Sequence, residues 1–379
     1  MGKVTTSLNE KLETVKWGEY KVSDLFSVNT SKKRFDANKV TISPDKEGYP
    51  YIVRQSTNNG RRGYIQESPE YLNENNTIAF GQDTATMFYQ NEPYFTGDKI
   101  KILKPKFKEF NQDNAQFFLT AMEKSFSSFS WGSSSFNVKI IENQTLKIPV
   151  KDGKPDFDFM GSFIAELEAE RIAELEAYLE VTGLSDCKLT EDEQKALDNY
   201  GSLTFEDFSI TDVFDIKNTK NILSRDITPN SGTVPYLCAS ADDNAISSYI
   251  SYDKRLLDKG DCIFIGGKTF VVTYQEYDFF SNDSHNLALT LKNNDYRSKL
   301  SQIYLSTCVR KSLSHKYSWG DSISNRKIQK DNIRLPSARK KVDYSSMELL
   351  ISAIQKIVIK DVVVYADKKI QAHKEVIHS

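Results

Sequence analysis

One short turn near residue 58 carries six side chains able to hydrogen-bond a partner: Arg54, Gln55, Asn58, Asn59, Arg61 and Arg62. Arginine forks match the paired acceptors of guanine, and asparagine or glutamine amides match the donor and acceptor of adenine. The set therefore suits base edges in a DNA major groove. Asn59-Gly60 is also an ordinary hairpin-turn pair, which explains the glycine but not the flanking arginines. A second turn, Ser240-Ala241-Asp242-Asp243-Asn244, is acidic, and different turn chemistry on one scaffold would read different sequences.

Cations cluster elsewhere too: Lys32-Lys33-Arg34, the ladder Lys99, Lys101, Lys104, Lys106 and Lys108, then Lys217, Lys220 and Lys268. From Arg310 to Lys341 ten basic residues, among them Lys311, Lys316, Arg326 and Lys327, face only Asp321 and Asp331. A single cluster reads as solvated surface. Several of them at related places in a repeated chain read as a phosphate-facing side on each copy. The total of 50 Lys+Arg against 52 Asp+Glu in 379 residues excludes an indiscriminate polyanion binder. That neutrality is partitioned, because residues 156–200 hold 13 acidic and 3 basic residues, net −10, leaving net +8 elsewhere.

Other chemistry is missing its partners. Asn91-Glu92-Pro93-Tyr94 resembles the Asn/Asp-Pro-Pro-Tyr loop of amino-methyltransferases but lacks the first proline. Gly267-Lys268-Thr269 resembles the end of a phosphate loop, yet Cys262 stands where that motif needs glycine. Cys187, Cys238, Cys262 and Cys308 and the four histidines show no metal or disulfide spacing, so reduced thiols and no metal are expected. The apolar run Ile357 to Tyr365 is broken by Lys360 and Asp361, far short of the roughly 20 residues of a membrane span. The first residues lack the apolar core of a signal peptide, and Gly2 with Thr6 matches a myristoylation pattern too short to outweigh an ordinary start. A cytoplasmic reader without a catalytic site is the expectation.

The elements that must position these residues occur twice. At a displacement of 185 to 188 residues, Trp17, Tyr20, Asp24, Leu25, Phe26 and Val28 fall on Phe205, Phe208, Asp212, Val213, Phe214 and Ile216. The segment from Pro50 lies over that from Pro235, with Asn59 on Asn244 and Tyr64 on Tyr249. Ser130-Trp131-Gly132 meets Ser318-Trp319-Gly320, and both halves then reach a proline (Pro149, Pro336) seven residues before an aspartate (Asp156, Asp343). Each half predicts a strand-rich unit followed by a helix of about 28 residues, roughly 42 Å long. Met160, Phe163, Ile164, Leu167, Ile172, Leu175 and Leu179 stripe the first helix, and Met347, Leu350, Ile351, Ile354, Ile357, Val358 and Tyr365 the second. Asp156 and Asp343 are expected N-caps, Gly183 a C-terminal stop, and Thr190 with Glu193 a capping box on a linker helix.

Together these features resemble the specificity subunit of Type I restriction-modification systems, and the similar separate specificity subunits of two-gene Type II systems. The aromatic-x(2)-aromatic opening, the Pro-Tyr strand with its Asn turn, Trp-Gly, the Ile148-Pro149 and Leu335-Pro336 exits and the long helix recur in one order twice. The resemblance implies an α/β (α+β) chain with target recognition domains at 1–155 and 204–342, spacer helices at 156–184 and 343–373 packed antiparallel as a ruler, and a linker at 185–203. It implies double-stranded DNA as ligand, each domain reading half of a split site. The helices would dock methyltransferase subunits, with Phe163, Leu167, Leu175, Leu350, Ile354 and Val358 as candidates. S-adenosylmethionine would sit on those subunits and no cofactor on this chain. A restriction subunit joins in the complete enzyme, and exposed helix faces leave self-association open. The short second linker and the acidic second turn depart from the pattern, so base contacts do not transfer between halves. The competing reading is a duplicated scaffold for protein or carbohydrate, with Tyr64, Trp131 and Trp319 lining ligand pockets.

Overall fold

A computed structural model describes residues 5–127 and 137–377, with side chains through 371. Trp131 with its neighbours Ser130 and Gly132, as well as Gly2, His378 and the His373 side chain, lies outside the described residues. The chain forms two units, Met1–Leu175 and Glu176–Ser379, the division falling inside the first long helix.

The first unit contains strands β1 (Trp17–Lys21), β2 (Phe26–Thr30), β3 (Tyr49–Ile52), β4 (Arg61–Ile65), β5 (Thr77–Gly81), β6 (Met87–Gln90), β7 (Phe95–Thr96), β8 (Ile100–Pro105), β9 (Thr145–Lys151) and β10 (Lys154–Pro155). They make a four-stranded sheet in the order β2-β8-β5-β6 and two three-stranded sheets, β4-β3-β7 and β1-β9-β10. Central strand β5 is buried along its whole length. Side chains alternate across a strand, so Ile78 and Phe80 face the helix Gln112–Phe126 with Phe118, Met122 and Phe126. Ala79, on the opposite face, joins Ile52, Tyr94 and Ile102 in a second cluster. The sheet is thus covered by a helix on one side and by the hairpin sheet on the other.

The second unit repeats this as β11 (Phe205–Ser209), β12 (Phe214–Asn218), β13 (Val234–Leu237), β14 (Ile246–Ile250), β15 (Cys262–Ile265), β16 (Val272–Gln275), β17 (Phe280–Ser281), β18 (Leu287–Leu291), β19 (Asn332–Ala338) and β20 (Lys341–Val342). The sheet orders, β12-β18-β15-β16, β14-β13-β17 and β11-β19-β20, are the same. Even the registers agree: Trp17 pairs with Pro149 and Phe205 with Pro336, and one bulge interrupts Tyr51/Ile52 and Tyr236/Leu237 alike. Ile263 and Ile265 pack with Leu305, Val309 and Leu313 of the helix Lys299–Leu313, while Phe264 faces Leu237 and Phe279.

Both long helices start where their aspartates stand. Asp156 accepts from the Phe159 amide at 3.0 Å and Asp343 from the Ser346 amide at 3.1 Å. Their lengths differ from the expected equal pair, at 25 residues for Phe157–Val181 and 34 for Tyr344–Ile377. Gly183, with φ of +69°, stops the first through a Leu184 amide bond back to the Leu179 carbonyl; no glycine or proline interrupts the second. The Thr190/Glu193 capping box forms on the linker helix Glu191–Asp198. A helix at Thr6–Thr14, which the periodicity did not predict, buries Leu8 and pairs Lys11 with Glu166 on the first long helix at 2.5 Å.

Candidate nucleic-acid interface

The turn near residue 58 is not the two-residue hairpin loop expected. Asn58, Asn59 and Gly60 all take left-handed backbone, with φ of 52°, 54° and 73°, and Asp243, Asn244 and Ala245 repeat it at 47°, 54° and 68°. Alanine in place of glycine is explained by its neighbour. A Cβ on Gly60 would lie 3.0 Å from the Phe88 ring, whereas the position matching Phe88 in the second unit is the smaller Thr273. Asparagine is the residue type that tolerates this conformation best after glycine.

Within the turn the amides serve the scaffold. Asn59 donates to the Tyr89 carbonyl at 3.0 Å, Asn58 to the Arg61 carbonyl at 2.8 Å, and Gln55 to the Arg61 carbonyl at 2.8 Å. Asn244 donates to the Tyr274 carbonyl at 3.0 Å. Arg61 bonds the Tyr64 hydroxyl at 2.8 Å, so Tyr64 supports the hairpin. Arg54 pairs with Asp83, which also holds Lys99 at 2.7 Å. Arg62 is exposed and lies close enough to the Tyr51 hydroxyl to oppose the upward shift that burial imposes on it.

The first unit gathers cations that are far apart in sequence. Lys32, Lys33, Arg34, Lys99 and Lys101 line one open groove of about 470 Å³ with Gln82 and Asp98. Arg34 pairs with Asp98 at 3.1 Å, and the Lys33 ammonium lies 4.1 Å from the Tyr71 ring centre. The remaining ladder disperses, Lys104 to Glu74 at 2.6 Å and Lys106 to the Ser23 carbonyl at 2.5 Å.

In the second unit several candidate cations are engaged internally. Lys220 donates to the carbonyls of Arg255 and Leu257 at 2.7 and 2.9 Å, and Lys268 meets Asp283 at 3.4 Å. Lys316 bridges to the buried Asp331, and Lys327 to Asp321 at 2.5 Å. Lys217, Arg310, Lys311 and Arg326 are exposed. Arg310 and Lys311 occupy the last turn of their helix, where the helix dipole favours cations without any ligand. Sequence reasoning missed an open groove of about 880 Å³ beside the second turn, edged by Tyr249, Tyr274, Tyr277, Glu276, Asp278 and Lys299. Its signal was the run Tyr274-Gln275-Glu276-Tyr277-Asp278. The two grooves lie at different places on the repeated module: Thr30–Arg34, Gln82 and Asp98–Lys101 line the basic one of the first unit, whereas β13, β14 and β16 edge the acidic, aromatic one of the second.

The Asn91–Tyr94 segment is scaffold: Tyr94 is fully buried, hydrogen-bonded to Thr77 at 3.0 Å, and burial pushes its hydroxyl well above the usual tyrosine range. The proposed docking residues separate into two kinds. Phe163, a docking candidate, is buried edge-on to Phe117 at 5.9 Å, and Leu350, another, is also buried, so neither side chain is exposed in this chain. Leu167 and Leu175 are half-buried, while Ile354 and Val358 are exposed, Val358 at 74%. Among the described residues no helix is long and apolar enough to cross a membrane.

Two copies of one sheet-and-helix module, each carrying the same left-handed hairpin turn and each trailing a long helix, define a tandem-module protein. Residues 14–177 and 203–363 both match the family model described as Type I restriction modification DNA specificity domain. The chain belongs to that family, and is a specificity subunit of restriction-modification systems, whose family role is DNA target recognition. It is 26% identical over 343 residues to the Type II restriction enzyme BgcI specificity subunit S.BcgI of Heyndrickxia coagulans, covering 88% of this chain and 93% of that protein. The fold is similar to the crystal structure of the Type I restriction-modification system S subunit from M. genitalium, with a TM-score of 0.61 and 13% identity over 96% of this chain and 94% of that one.

Proposed function

We propose that this chain reads a two-part DNA target, one half per module, and brings methyltransferase subunits to it without a catalytic step of its own. The observation that carries the reading is the pair of equivalent turns with the same backbone, Arg61 and Arg62 following the first and Asp242 and Asp243 standing in the second. A protein that read one repeated sequence would need the same turn side chains twice. Arg62 and the Lys32–Arg34 groove supply phosphate and guanine contacts in the first half, and the tyrosines and carboxylates at the second turn suit exocyclic amino groups of adenine or cytosine. The long helices act as spacer and, through Ile354 and Val358, as docking surface. S-adenosylmethionine belongs to the methyltransferase subunits, which extrude and methylate an adenine. A restriction subunit completes the assembly, and the complex works in the cytoplasm, where its DNA is.

Co-expression with the cognate methyltransferase subunit, followed by mapping of methylated adenines, tests this. One motif split by an unread gap is expected; no methylation, or an undivided motif, overturns it. A second reading, a protein or carbohydrate scaffold, draws on the aromatic groove at Tyr249, Tyr274 and Tyr277. DNA affinity falling steeply with salt decides for the first, and affinity insensitive to salt for the second.

A further inference from the structure

Trp319 is 78% exposed, although burying an indole is among the largest apolar gains available to a chain. It is nevertheless held firmly. The Ser318 amide donates to the Asp321 carbonyl at 3.2 Å and the Asp321 amide to the Ser318 carbonyl at 3.1 Å, closing a tight turn with Trp319-Gly320 at its tip. Tyr317, at the root of the turn, is buried against the Phe270 ring and donates its hydroxyl to the buried Asp331 at 2.5 Å. Lys316 bridges to the same carboxylate, and Lys327 ties down the other side through Asp321.

The surroundings select the partner. Apolar protein contacts centre on aromatic anchors within a wider apolar patch. Along the chain its neighbours are Ser318, Gly320, Asp321 and Ser322, and the next apolar residue in sequence, Ile323, is buried. A lone aromatic blade on a tight turn, close in sequence to the exposed Arg326, suits a base: each base offers a flat face for stacking and its phosphate a charge for the arginine. We infer that Trp319 is a stacking blade that inserts at an unstacked base step of the half-site read by the second module. The inference rests on the DNA-recognition reading. It adds a contact outside the two turns, one that supports a distorted duplex.

The test uses the complete complex with its methyltransferase subunit and a duplex carrying the methylation-mapped site. W319A is expected to weaken binding roughly tenfold or more, as loss of a stacked base does, while the salt dependence stays unchanged. W319F recovers most of the affinity. Because the turn is closed by backbone bonds, thermal unfolding and subunit assembly are expected to match wild type in both variants. W319A binding like wild type overturns the blade and leaves the recognition reading intact. Loss of subunit assembly in W319A makes Trp319 a protein contact and also overturns it. A wild-type complex that neither binds nor methylates a discrete site overturns both readings.

Discussion

Asn59 and Asn244 hold the same left-handed backbone, φ 54° in each, and each donates its side-chain amide across the turn to a strand carbonyl 3.0 Å away, Tyr89 in one unit and Tyr274 in the other. Gln90 and Gln275 return the contact by donating to the carbonyls of Asn59 and Asn244. These asparagines set the shape of the two turns, their amides bonded back to the strands.

Asn59→Ala or Asn244→Ala is expected to destabilise its unit by about 2 kcal/mol, from one lost hydrogen bond and the strain of alanine at positive φ. Asn59→Gly keeps the conformation and costs less. Urea midpoints of the variants measure this, and N59A as stable as wild type would refute it.

Arg62 and Arg54 are expected to separate. Arg62→Ala should lower DNA affinity and reduce the logarithmic salt slope by about one, with recognition disturbed in one half-site only. Arg54→Ala removes one of two cations from Asp83, so it should cost under about 1 kcal/mol of stability and leave the slope less changed. Affinity titrations at several salt concentrations compare them.

Lys356 joins the linker to the second long helix, at 2.9 Å from Asp186 and 3.1 Å from Glu193, which also accepts from Ser352 at 2.5 Å. The Lys356 hydrogen bond holds the Asp186 carboxyl below its ordinary range. Burial pushes Glu193 up, but the bonds from Ser352, Thr190 and Lys356 together outweigh it and hold its carboxyl low. A carboxyl depressed by folding stabilises above its unfolded value and loses that contribution as pH falls through the folded one. Lys356→Met should therefore cost about 1–2 kcal/mol at pH 7, and the gap to wild type should close below about pH 4. Thermal midpoints across pH 3 to 7 test the sign, and a gap that widens on acidification would count against it.

Val358→Asp changes an exposed side chain, so folding should hold to within about 0.5 kcal/mol while methyltransferase assembly is lost. Leu350→Ala empties a buried site and should cost about 2–5 kcal/mol. Co-purification and calorimetry of the two variants distinguish a docking face from a core. Loss of assembly in neither would move the docking face elsewhere.

The duplication, its 185-residue offset in the turn region, the N-cap aspartates, the Gly183 stop and the linker capping box were all legible in the sequence. Each is a local matter, since a carboxylate finds the amides of its own first turn and a strand or helix reveals itself through its own periodicity. Tertiary structure alone decided which cations remain for a ligand. Arg54 meets Asp83, Lys104 meets Glu74 and Lys316 meets Asp331, partners 15 to 30 residues away that only chain folding brings near. It also decided that Phe163 and Leu350 turn inward while Val358 and Trp319 stay in solvent. Charge pairing and burial depend on distance in space, and linear spacing fixes distance only within a turn or a strand.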